Sequence, residues 1–241
     1  MPDTVRYTEL LPREFERRLE DAPIAYLPLG TVEWHGKHLP YGTDSLISAG
    51  FFVRLAERVG GVVAPPLSLG PDRAETVDGE EYYGMDVFAF RGERPQQLPG
   101  SAYWVPDDLF NDVIEATLTQ LQRAGFEIVV AHGHGPSTTY FEEHLDDWEE
   151  RLDLRLFTCR PDNDEPSLQV DHAAVNETSL MQALEPELVA LDRLPPLGEE
   201  WPLGVDGEDP REHANADRGA AIINREIERM ERLLEDAMAE V

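Results

Sequence analysis

Two patterns of apolar residues alternate along this chain. Short unbroken runs at Ile24 to Leu29, Val62 to Ala64 and Phe126 to Ala131 have the length and bulk of buried strands, and each is followed closely by glycine or proline. Between them, apolar residues recur at helical spacing. Leu46, Ile47, Phe51 and Leu55 follow Asp44 and stop at Gly60-Gly61; Leu109, Val113, Ile114, Leu118 and Leu121 follow a cap at Asp107 or Asp108. Ser137 is placed to cap a helix running to about Arg151 with Phe141, Leu145 and Trp148 inward, and a final helix over residues 217–239 carries Ile222, Ile223, Ile227, Met230, Leu233 and Leu234. Residues 8–20 predict a short amphipathic helix, residues 152–159 a further strand, and Thr178 to Leu184 another helix. Near-continuous apolar strands alternating with amphipathic helices predict one α/β domain, with a parallel sheet covered on both faces.

Three stretches depart from this pattern. Residues 70–106 mix Gly, Pro and acidic residues with Tyr82, Tyr83, Met85, Phe88, Phe90, Tyr103 and Trp104, too aromatic for a disordered linker and too broken for regular structure. They read as a lid or pocket wall, or as a subunit contact. Residues 161–166 read as an acidic, proline-containing loop, and residues 185–215 as a long surface connection with little repeating order.

Composition narrows the class. The chain has 49 acidic and 20 basic residues, a formal net charge of -29, with Lys37 the only lysine. Such a field repels nucleic acid and anionic membranes, so neither is expected as a partner. An acidic, lysine-poor surface is what molar salt selects, because screening removes self-repulsion while carboxylates hold water, so a halophilic cytoplasmic protein is expected. No apolar run approaches the roughly 18 residues of a membrane helix, and the first residues lack a signal-peptide pattern. The single cysteine, Cys159, excludes an internal disulfide framework and any multi-cysteine zinc site. Any metal must therefore use histidine and carboxylate.

Candidate chemistry sits where the buried strands end. After the first strand come Glu33 and His35, two apart so that an extended chain sends both side chains to one side, and then Asp44 after a turn at Pro40 and Gly42. After the strand ending at Ala131 comes His132-Gly133-His134-Gly135-Pro136-Ser137, at the strand end where open α/β sheets bind ligands. The segment Val170 to Ser179 adds His172 and Glu177. Imidazole and carboxylate without thiolate suit Zn²⁺, Mn²⁺ or Fe²⁺. Among the other candidates, His132 reads either as chemistry or as a backbone hydrogen bond, His38 as support for its loop, and His144 and His213 as plain surface residues. Cys159 reads as a buried thiol.

These segments, LPLGTVEWHGKHLPYGTD, a strand ending in HGHG, and DHAAVNETS, resemble the creatininase (creatinine amidohydrolase) family in identity and order. The resemblance implies a layered α/β/α single domain with a mostly parallel central sheet over residues 1–241, often assembled into homo-oligomers such as hexamers. It also implies one or two divalent cations per chain that hydrolyse C–N bonds of small amides, formamides or cyclic amides. By motif, Glu33, His35, Asp44 and His134 match metal ligands, with Asp44 bridging. His172 matches a histidine near the reacting carbonyl, and Glu177 the acidic residue of Glu-Thr-Ser, here read as catalytic and able to serve as a ligand. The family usually has NGHGGN, or NGHYEN in creatininase itself, whose glutamate binds the second metal; Pro136 occupies that place here. The histidine that many members carry before Pro-Gly-Thr is also missing. Both departures argue against creatinine as substrate. They leave a rival reading of a metal-binding, structural or regulatory protein without hydrolase activity.

Overall fold

The computed structural model describes residues 4–89, 94–160 and 167–240; Phe90 and the acidic loop at 161–166 lie outside the described residues. Helix α1 (Pro12–Asp21) leads into strand β1 (Ile24–Pro28), followed by α2 (Thr43–Val59) and β2 (Val62–Val63). A hairpin, β3 (Ala74–Val77) and β4 (Glu80–Tyr83), precedes α3 (Asp107–Arg123), β5 (Ile128–His132), α4 (Gly135–Arg151) and β6 (Arg155–Phe157). The chain then forms α5 (Val175–Leu184), the single turn α6 (Pro210–His213) and the long α7 (Ala216–Met238).

The main sheet has the order β2-β1-β5-β6, with every pair parallel. Its two central strands are buried on both faces, and their side chains sort by parity. Ile24, Tyr26, Ile128 and Val130 join a core made with α2, α5 and α7, whose members include Phe51, Phe52, Ile223 and Met230. Ala25, Leu27, Val129 and Ala131 join the opposite core, with Phe110, Ile114, Phe141 and Trp148 of α3 and α4. The period-2 exchange between two helical layers is the α/β/α arrangement that uninterrupted apolar strands require.

The structure revises several local expectations. Residues 70–106 do contain regular structure: β3 and β4 pair antiparallel around a tight turn in which Asp78 and Gly79 have φ of 53° and 87°. Helix α4 starts at Gly135, preceded by His134 rather than capped by Ser137, which lies inside its first turn. Helix α5 begins at Val175, earlier than Thr178, because the Asp171 carboxylate accepts from the backbone N–H groups of Asn176 (2.7 Å) and Glu177 (3.1 Å) and satisfies two open donors. The 185–215 connection is not wholly superficial. Val205 is buried, and Asp206 and His172 exchange two backbone hydrogen bonds of 2.9 Å.

Candidate metal centre

The ends of β1 and β5 are locked together before they diverge. The register runs to Pro28 opposite His132, and the Leu29 N–H then donates to the His132 carbonyl at 2.8 Å. Gly133 follows with φ of 154°; a Cβ there would lie 1.8 Å from the Leu29 carbonyl oxygen, so only glycine lets the strand ends come this close. From this point β1 leads to Glu33 and His35, and β5 leads to His134. Asp44 is the second residue of α2, and Glu177 lies in the first turn of α5. All six predicted residues converge, all but the partly buried His172 being buried, in three overlapping groups: Glu33, His35 and His172; Glu33, Asp44 and His134; His35, Asp44 and Glu177.

Hydrogen bonds fix which atoms face the centre. His35 Nδ1 lies 3.0 Å from the Glu33 carbonyl, which can only accept, so Nδ1 carries the hydrogen and Nε2 points inward. Among the described residues that Nε2 is buried with no hydrogen-bond partner, 3.6 Å from Asp44 Oδ1 and 3.6 Å from Glu177 Oε2. Asp44 Oδ2 is likewise buried and unpartnered, while Oδ1 accepts from Gln169 Nε2 at 3.1 Å. His134 has Nδ1 on Ser137 Oγ at 3.0 Å and turns Nε2 inward, 3.8 Å from Glu33 Oε2. Glu33 Oε1 accepts from the Met85 N–H at 2.9 Å, and Glu177 Oε2 from the Ala173 N–H at 2.6 Å. His172 donates from Nε2 to the Trp34 carbonyl at 2.7 Å, which leaves Nδ1 facing Glu33 Oε2 at 3.9 Å, and its ring stacks on His35 at 4.2 Å.

Charge without a cation is poorly balanced here. Burial raises Glu33 to about 7 against the pull of His134, and burial raises Glu177 well above its ordinary value despite His35. Burial alone would lower His35, but Asp44, Glu177 and Glu33 together lift it to about 10; burial would raise Asp44, but His35 holds it below the usual carboxylate range. Burial, then the neighbouring His35, pushes His172 down to about 3. His134, which burial alone would lower, is instead raised by its hydrogen bond to Asp72 and by Asp44 and Glu33. Two partnerless buried atoms, His35 Nε2 and Asp44 Oδ2, between oxygen and nitrogen donors are what a divalent cation site requires. The residues fit such an ion.

The centre opens into a cavity of about 440 Å³ bordered by Met85, Phe88, Pro136 and Gln169, and a neighbouring one of about 320 Å³ is walled by Tyr83, Tyr103 and Trp104. The aromatic segment therefore contributes to the walls, although Tyr103 is 63% exposed.

His132 is buried but joins none of the three groups, and burial lowers it to about 3. His38 bonds Thr178 Oγ1 at 2.9 Å and braces α5, as expected of a supporting residue. His144 differs from the plain surface residue expected: it stacks on Tyr140 at 4.1 Å. His213 is exposed beside Glu212, and the Cys159 thiol is buried, with its pKa pushed up by that burial. Sequence reasoning missed Asp72, whose Oδ2 lies 3.2 Å from His134 Nε2, and Gln169, which holds Asp44. Neither carries a spacing signal; the Asp78-Gly79 turn beside Asp72 does, since Asp-Gly between short extended runs marks a hairpin.

A family model described as Creatininase: Creatinine amidohydrolase matches residues 8–234. A creatinine amidohydrolase of Pseudomonas putida is 25% identical over 221 residues, covering 80% of this chain and 77% of its own length. A crystal structure of creatinine amidohydrolase superposes with a TM-score of 0.73 at 22% identity, covering 97% of this chain and 98% of that one. A creatininase mutant described as the Zn-Zn type gives 0.72 at 22% identity with the same coverage, 97% and 98%.

Proposed function

Because the chain belongs to the creatininase family, we propose that it is a metal-dependent amidohydrolase that cleaves C–N bonds in a small polar amide, formamide or cyclic amide. The observation that carries this reading is the sharing of Asp44 between two ligand groups, Glu33–Asp44–His134 and His35–Asp44–Glu177. Each group would hold one divalent cation, with Asp44 common to both. Glu177 takes the role that Pro136 cannot fill, which favours catalysis over the rival of a metal-binding protein without activity. Solved creatininases in Zn-Zn and Mn forms support Zn²⁺ or Mn²⁺ as the ion. Two such ions, when bound, lower the pKa of water and polarise a substrate carbonyl.

The remaining chemistry falls to His172. The Trp34 carbonyl fixes the hydrogen on Nε2, and the lone pair is left on Nδ1 at the cavity. Nδ1 accepts the proton that the attacking water loses and delivers it to the departing nitrogen. Stacking on His35 fixes the ring plane for both transfers. Met85 and Phe88 supply apolar wall, and a cavity of about 440 Å³ suits a small substrate. The family resemblance suggests that residues 1–241 act as one such domain in a homo-oligomer, and the net charge of -29 suggests a salt-rich cytoplasm.

The test is hydrolysis of a panel of small amides, formamides and lactams, read as released amine or ammonia for the open-chain substrates and as the ring-opened amino acid for the lactams. The protein should turn over at least one of them, lose activity on chelation, regain it with Zn²⁺ or Mn²⁺, and lose it in Asp44→Asn. Full loading with two cations and no turnover across the panel would establish the rival.

A further inference from the structure

Asp72 stands on the loop leading into the β3–β4 hairpin, outside the motifs that carry the family resemblance. Its Oδ2 lies 3.2 Å from His134 Nε2, on the inward side of that ring, while Nδ1 on the far side is held by Ser137. Donor atoms about 2.1 Å from one cation stand about 3.0 Å apart at right angles and about 3.4 Å apart in a tetrahedron, so 3.2 Å already matches two ligands of one ion. When a cation replaces the hydrogen on Nε2, Asp72 Oδ2 loses the one partner it has among the described residues, beside the buried carboxylate of Glu33. Ligation of the same cation restores one.

The hairpin is built to hold this position. On its entering side, Asp72 Oδ1 accepts from the Arg73 N–H at 2.6 Å, and the Asp72 carbonyl accepts from Trp104 Nε1 at 3.2 Å. On its leaving side, the Gly84 N–H donates to the Arg73 carbonyl at 2.8 Å, and the Met85 N–H donates to Glu33 Oε1 at 2.9 Å. Gly84 has φ of 54°, and a Cβ there would lie 2.5 Å from Glu33 Oε1 and 2.6 Å from Asp72 Oδ2. The two carboxylates thus converge on space that only glycine leaves open, and one hairpin sets both. We propose that Asp72 is a further ligand of the cation held by Glu33, Asp44 and His134, so that the hairpin is part of the metal centre. This inference rests on the two-cation reading above.

The experiment loads the full-length metal-free protein, Asp72→Asn and Asp72→Ala with Co²⁺ or Zn²⁺. It measures cations per chain, affinity by chelator competition, the visible Co²⁺ absorption and the fold by circular dichroism. Both variants should stay folded, keep the His35–Asp44–Glu177 cation, and bind the other more than about 100-fold more weakly, beyond the loss typical of an outer-shell partner. The Co²⁺ band should change with the lost ligand. A smaller loss of affinity, an unchanged band, or loss of both cations together from a folded variant overturns the assignment. If the wild-type protein takes up no cation, the two-cation reading falls and this one with it, a result distinct from failure in the variants alone.

Discussion

The metal-free centre keeps a proton where a cation belongs, and pH should therefore control loading. His35, raised to about 10 by the surrounding carboxylates, is protonated at neutral pH, and Glu33, raised to about 7 by burial, is half protonated there. A cation that takes His35 Nε2 must release that proton. Between about pH 7 and about pH 10 the logarithm of affinity should rise by at least about one per pH unit, and more steeply below pH 7, where Glu33 also gives up a proton. Three units correspond to about 4 kcal/mol of binding energy withheld at pH 7. The metal-free fold should respond in the opposite sense. His35's raised pKa contributes stability that is complete below its unfolded value of 6.5 and is lost as pH rises through about 10. Glu33's raised pKa removes stability as pH climbs from 4.5 to about 7. Asp44, held low by His35, loses its contribution only in strong acid. Chelator competition with Mn²⁺ and melting of the metal-free protein, each at about pH 7 and about pH 9, read both effects. An affinity that stays flat over that range, or a metal-free protein that melts higher at the more alkaline pH, would refute the reasoning.

Gly84→Ala should cost about 1–2 kcal/mol from its left-handed backbone alone, and its methyl should push Glu33 and Asp72 apart, so calorimetry should show a lower Tm and competition a weaker Glu33-side cation. Gln169→Ala removes the amide donor from Asp44 Oδ1 and should weaken cation binding by about 10- to 100-fold with the fold retained; unchanged affinity would show that Gln169 only packs. With a net charge of -29, the thermal midpoint should rise from dilute buffer to molar KCl, and a flat response would remove the halophilic reading.

How much of this was legible depended on where each residue's signal came from. The central strands were readable because burial on both faces makes the runs at Ile24 and Phe126 continuous in sequence, and the chemistry was readable because it follows directly on their ends. Glu33, His35, Asp44, His134, His172 and Glu177 were all named by pattern and motif, and all meet. The hairpin escaped because β3 and β4 are mostly exposed and rich in glutamate, so no apolar alternation marks them; only the Asp78-Gly79 turn does. Asp72 and Gln169 were invisible for a different reason. Each reaches the centre from a loop whose path is set by tertiary contacts, Asp72 by Trp104 and the hairpin, Gln169 by a backbone with φ of 51°. The early start of α5 came from Asp171, a capping carboxylate several residues upstream of the helix, beyond the reach of a local capping rule.

The central claim is a pair of cations sharing one carboxylate, and elemental analysis of the protein after loading with Zn²⁺ or Mn²⁺ tests it most directly. The account predicts about two cations per chain in the wild-type protein, one for each ligand group sharing Asp44, and fewer in a folded Asp44→Asn variant. A single cation in the wild type, or two retained without the Asp44 carboxylate, would contradict it.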